Sequence, residues 1–146
     1  MTRSQFKAKT AARLVLGAIF TVFGLNGFLH FLPMPAPTGL AAVYMGGLAA
    51  SGYMFPLIKG TEVVAGALLL GNRYVPLALT ILAPVVVNIL AFHLFLAPSG
   101  LVIPLVAAAL GIYLATTQRA IFAPFFQARS TEAVPQSDRR ARAAHA

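Results

Sequence analysis

Four long apolar runs, separated by short stretches rich in turn-forming residues, constrain this chain more than any other feature. Crossing the hydrocarbon of a bilayer takes about 20 helical residues, or somewhat fewer where the bilayer is thin. The runs cover residues 14–32, 53–70, 74–96 and 101–117. Lipid offers no partner for a bare peptide group, so such runs must close their backbone hydrogen bonds internally as helices. The expected fold is all-α, an integral membrane four-helix bundle. Gly71-Asn72 suits the end of the second helix, and Asn72 can also cap the third, with Pro76 tolerated in the first turn. Pro98-Ser99-Gly100 turns the chain again, with Ser99 placed to cap the fourth helix.

The rest of the chain orients these runs. Hydrophobic residues are 59% of the sequence and charged residues 10%, too few to solvate a soluble surface. The formal charge of +8 comes from residues outside the runs, with no basic stripe interleaved with aromatics, which argues against nucleic acid as a partner. Arg3, Lys7, Lys9 and Arg13 precede the first run, Arg73 lies between the second and third, and Arg119, Arg129, Arg139, Arg140 and Arg142 follow the fourth. The connections at 33–52 and 97–100 carry no charge. Lys and Arg accumulate on the cytoplasmic side of membrane proteins, so both termini are expected there. A basic start before an apolar stretch also describes a signal peptide, but this run is too long and Met34-Pro35-Ala36-Pro37 is a poor cleavage site.

The domain expectation is a basic N-terminus at 1–13, a membrane domain at 14–118 and a cytoplasmic segment at 119–146. From Arg129 that segment is polar and Ala-rich, as in disordered tails, while Phe122, Phe125 and Phe126 before it suit an interfacial anchor. In the first external connection, Leu40, Val43, Tyr44 and Leu48 recur at helical spacing behind Pro33, Pro35 and Pro37. A short interfacial helix with Thr38 as its cap is expected there.

Cysteine is absent, which removes disulfides, thiolate nucleophiles and Cys-ligated metals. The remaining chemistry sits in six residues: Asn26 and His30 in the first run, Lys59 and Glu62 in the second, Asn88 and His93 in the third. Helical rise places His30 and His93 roughly 3 to 5 Å below the outer edge, Lys59 and Asn26 at about 9 Å, and Glu62 and Asn88 at about 12 to 14 Å. Polar groups at such depth are costly and by default mark function. Asn26 and His30 share a helix face, as do Lys59, Glu62 and Gly66, where Gly66 admits close approach. Asn88 and His93 lie on different faces unless Pro84 distorts the helix. Each residue also has a structural reading. Lys59 and Glu62 can neutralise each other, the asparagines can bond neighbouring helices, and the histidines can sit at the interface. A haem or metal held by His30, His93 and Glu62 lacks any ligand pair on one helix turn.

The segments GLNGFLHFLPMP and SGYMFPLIKGTEVVAGALLLGNRYVPLALTILAPVVVNILAFHLFLAPSG resemble the DoxX-like family of small bacterial membrane proteins. The resemblance covers about residues 14–118, and Lys59, Glu62, Asn88 and His93 fall in its most telling parts. It implies a four-helix membrane bundle in the bacterial cytoplasmic (inner) membrane. It extends more loosely to the DoxD-type subunit of thiosulfate:quinone oxidoreductase, and so implies a membrane redox setting with a protein partner. Two functions follow as expectations. One is a quinone- or lipid-binding subunit whose six-residue cluster holds the head group. The other is a non-enzymatic module that stabilises or recruits a partner, or that binds or transports a lipid-like molecule. Either is compatible with a homo-oligomer.

Overall fold

The structure, a computed structural model, describes residues 3–126. The expected polar tail and the Phe125 side chain lie outside the described part. Six α-helices and two 3-10 turns (Pro98–Gly100 and Ala123–Phe126) are found among the described residues: α1 (Arg3–Leu29), α2 (Gly39–Ala50), α3 (Met54–Leu70), α4 (Val75–Phe95), α5 (Val102–Thr117) and the single turn α6 (Arg119–Phe122). No strand occurs among the described residues.

The first helix starts well before the apolar run. Lys7, Ala8, Lys9, Ala11 and Ala12 are good helix formers, so nothing halts the helix between Arg3 and the run. It ends where His30 turns left-handed at φ 50°, the position after a helix where glycine is usual. Thr38 does occupy the N-cap position of α2, but its side chain makes no cap bond. Tyr53 stands at the N-cap of α3 without a side-chain cap bond, and Ser51, the C-cap of α2, bonds the start of α3 instead. Its Oγ accepts from the Met54 N–H at 3.0 Å and donates to the Leu48 carbonyl at 2.7 Å, joining α2 to α3 at a bend of 90°.

Two expected caps are not made. Tyr74, not Asn72, precedes α4, and no side chain bonds the helix start. Asn72 and Tyr74 both adopt left-handed backbone (φ 54° and 51°) in the short connection from α3 to α4. Ser99 lies inside a 3-10 turn, Pro98–Gly100, and Leu101 takes the N-cap position of α5. Pro84 leaves α4 continuous.

The helices α1, α3, α4 and α5 close a ring, each packing chiefly on two neighbours, and α1 packs most extensively on α3. These two run antiparallel. Arg13 of α1 meets the carbonyls of Leu69 and Leu70 at one end, and Gly27 meets Lys59 at the other. The first of these ends collects Arg3, Lys7, Lys9, Arg13, Arg73 and Arg119, and is called the basic end below. The apolar core fills mainly that half, with Leu16, Phe20, Leu69, Leu82 and Leu114 buried around Ala65, Ala78 and Ala107.

By length and composition, α1 and α4 can each cross a membrane; α2 and α3 pass the same test only as one bent pair, and α5 is shorter. Large apolar side chains such as Val15, Leu57, Val87 and Ile112 point outward around the ring, a surface suited to lipid rather than water.

Candidate functional site

The far end of the α1–α3 seam holds the buried polar groups. Glycines on α1 make the seam close. A Cβ on Gly24 would lie 2.8 Å from a Val63 methyl and 3.1 Å from Glu62 Cβ, and one on Gly27 would lie 2.5 Å from Lys59 Cγ. Toward the basic end, a Cβ on Gly66 would meet Thr21 Oγ1 at 2.5 Å and the Gly17 carbonyl at 2.9 Å. The face of α3 bearing Lys59, Glu62 and Gly66 is thus covered by α1. The spacing of Gly17, Gly24 and Gly27, seven and then three residues on one helix face, was the sequence signal for this contact.

Glu62 is 1% exposed, yet it is fully partnered: Lys59 Nζ donates to its two oxygens at 3.1 and 2.9 Å. The Lys59 stem lies against Gly27 and its ammonium sits 6.0 Å from the Phe55 ring centroid. Its side chain remains 21% exposed, so one edge of the pair opens outward. Asn26 is also buried and also spent. Its Oδ1 accepts from the Leu32 N–H at 2.6 Å and its Nδ2 donates to the Leu32 carbonyl at 3.4 Å. The amide thereby holds the chain as it leaves α1, a job the tight His30 turn requires.

The other three residues do not join them. His30 is exposed beyond the last turn of α1, positioned by its backbone N–H on the Asn26 carbonyl. Asn88 faces out from α4 and accepts a 2.8 Å bond from the Tyr44 hydroxyl of α2, whose ring packs 5.4 Å from Phe92. His93 turns to the α4–α5 connection: its Nδ1 is 2.9 Å from the Ile89 carbonyl and its ring covers Gly100. The five-residue step from Asn88 to His93 keeps them on different faces, since Pro84 does not reset the helix. The expected six-residue cluster is therefore three arrangements: an α1–α3 ion pair with its neighbouring amide, an α2–α4 hydrogen bond, and a histidine over a turn. Among the described residues, no group of three or more His, Cys, Asp or Glu is placed to hold a metal.

An open groove of about 350 Å³ lies elsewhere, lined by Pro56, Leu57, Gly60, Thr61, Val64 and Ile81. It sits on the side of α3 opposite the ion pair and includes none of the six residues.

Two polar contacts had no reading in the sequence. The guanidinium of Arg13 donates to the Leu69 and Leu70 carbonyls at the end of α3, the first of which also accepts the Asn72 N–H. Thr21 Oγ1 is buried against Gly66 with no hydrogen-bond partner. The chain matches no protein-family model, no curated protein and no solved structure.

Proposed function

We propose that this chain is a four-span, DoxX-like protein of a bacterial cytoplasmic membrane, with both termini cytoplasmic, and that it works as a non-enzymatic helical module. In this reading it stabilises or recruits a protein partner of a membrane redox system. The observation that carries the module reading is the closure of the polar groups on themselves. Glu62 has both oxygens on Lys59, and Asn26 has both ends of its amide on Leu32. A catalytic acid or base needs a free face toward its substrate, and the buried carboxylate has none. Four spans are supported by the ring of α1, α3, α4 and α5, in which the 17-residue α3 and 16-residue α5 line up with longer neighbours. At about 1.5 Å rise per residue, such helices suit the thinner end of the bilayer range.

A second reading, a quinone or lipid head group bound at the far end, draws on one observation: the Lys59 ammonium keeps an open edge there. Purification in native-lipid discs separates the two. The module reading expects an absorption spectrum without quinone, flavin or haem bands and no saturable quinone binding. Saturable binding of ubiquinone or menaquinone that is lost in Lys59→Met would replace it with the second.

A further inference from the structure

The basic end of the ring gathers unanswered charge at one seam. Lys9 lies one turn before Arg13, about 6 Å along α1 and on the same helix face. That face meets the end of α3, since one turn further on a Cβ on Gly17 would lie 3.0 Å from Leu70 Cγ. Arg73 follows α3 by three residues, its backbone N–H turned back to the Leu68 carbonyl at 2.9 Å. Arg13 meets its two α3 carbonyls through Nη1 alone. Its Nε and Nη2, the pair on one side of the guanidinium, have no partner among the described residues. That edge is the fork that takes two oxygens of a phosphate or carboxylate. Lys9 and Arg73 likewise make no side-chain bond among the described residues. No described carboxylate is at hand: Glu62 is held by Lys59 at the far end, and Glu132 and Asp138 lie beyond the described residues, in a segment with four arginines.

We infer that this seam binds the head group of an anionic phospholipid, with Arg13 Nε and Nη2 holding two phosphate oxygens and Lys9 and Arg73 supplying the charge that selects a net-negative lipid. The inference rests on the ring lying across a bilayer, as in the four-span reading, and holds for either orientation. The level of the cluster favours a lipid over a soluble anion. Leu14 and Val15, directly after Arg13, and Leu77, one turn after Tyr74, are exposed and apolar, and Tyr74 beside Arg73 is 70% exposed. Cations and an exposed tyrosine at the rim of an apolar surface mark the head-group layer. A phospholipid bound there keeps its acyl chains on the apolar surface while its phosphate meets the fork, whereas a free phosphate gains only the charge. A zwitterionic lipid offers the same phosphate but cancels it with its own cation, so Lys9 and Arg73 favour the anionic head group.

Because the chain has no tryptophan, Tyr74→Trp places a single fluorescent reporter beside the seam, and Tyr53→Trp places one at the far end, where Tyr53 is 64% exposed. In phosphatidylcholine vesicles with rising brominated phosphatidylglycerol, quenching of each reporter gives the local preference for the anionic lipid. A cation near an anionic surface is worth about fivefold in affinity, so the Tyr74→Trp reporter should show a preference of about tenfold, reduced about fivefold by Lys9→Gln with Arg73→Gln. Neither replaced side chain belongs to the core. High salt should lower the same preference with the sequence at the seam intact, which keeps the test open even where the double variant folds poorly. No preference at Tyr74→Trp, an equal preference at Tyr53→Trp, or a preference unmoved by both the double change and salt overturns the site. A saturable emission change when inorganic phosphate is added to phosphatidylcholine vesicles would give the seam to a soluble anion and overturn the lipid. Brominated phosphatidylcholine that quenches neither reporter overturns the spanning ring, while quenching of both without preference overturns the lipid site alone.

Discussion

Glu62 sits where α1 presents glycine, so its carboxylate is excluded from water and from lipid alike and depends on Lys59 for its whole stabilisation. Removing one member of such a pair costs about 3–5 kcal/mol, because the other is left as an uncompensated charge. Lys59→Met should therefore destabilise more than the double change Lys59→Met with Glu62→Gln, which leaves no charge behind. Thermal unfolding of the four proteins of the cycle in detergent checks this; strictly additive losses would remove the coupling. Glycines supply a second contrast. Gly66→Ala sets a methyl within 2.7 Å of the Thr21 backbone nitrogen, which neither helix can yield without parting, whereas Gly60 has open space around it. The first substitution should cost about 1–3 kcal/mol, and the second should be neutral or gain up to about 1 kcal/mol from helix propensity. The pairing of Lys59 with Glu62 was legible from their three-residue spacing. The placement of Asn88 and His93 was not, because depth along a helix fixes height and leaves open which neighbour, α2 or a turn, a side chain meets.

Among the elements, the bend between α2 and α3 depends most on a single side chain. Ser51 ends one helix and accepts the first N–H of the next, so a hydroxyl is shared between two helices that meet at 90°. Ser51→Ala loses about 1 kcal/mol at the α3 N-terminus, and amide hydrogen exchange at Met54 to Leu57 should quicken about fivefold while the middle of α4 is unchanged. Unaltered exchange at these amides would assign the angle to packing. The apolar spacing of Leu40, Val43 and Tyr44 was enough to place α2, and the length of the apolar runs was enough to place α3, α4 and α5 within a few residues. Caps were harder to read. Thr38, Asn72 and Ser99 all have the right chemistry at plausible positions, but Asn72 is left-handed and Ser99 lies inside a 3-10 turn, while Thr38 reaches the N-cap position of α2 and still makes no cap bond.

Over the whole molecule, one end of the ring carries every described basic residue but Lys59, and the other carries the Lys59–Glu62 pair and Asn26. Lys59 alone departs from this pattern, and it is neutralised by Glu62. Reporter fusions after Thr117 should show cytoplasmic activity and fusions near Pro37 or Ser99 external activity; an external C-terminus would end the four-span reading. This polarity was legible directly, since charge counts need no side-chain geometry, whereas the order of helices around the ring was not read from the sequence. Of the four ring helices, α1 and α4 are long and apolar enough to cross a membrane, α3 reaches that test only as a bent pair with α2, and α5 is shorter.

The Arg13 contact also imposes an order of events. Its acceptors lie 56 and 57 residues further along the chain, so while the ribosome is still making α2 the guanidinium has nothing to bind and α1 has no fixed neighbour. Only once Leu70 has cleared the ribosome can the last carbonyls of α3 meet the arginine and close this end of the α1–α3 seam. In the four-span reading, a nascent chain stalled before Lys59 should therefore leave α1 without the helix on which it packs most extensively.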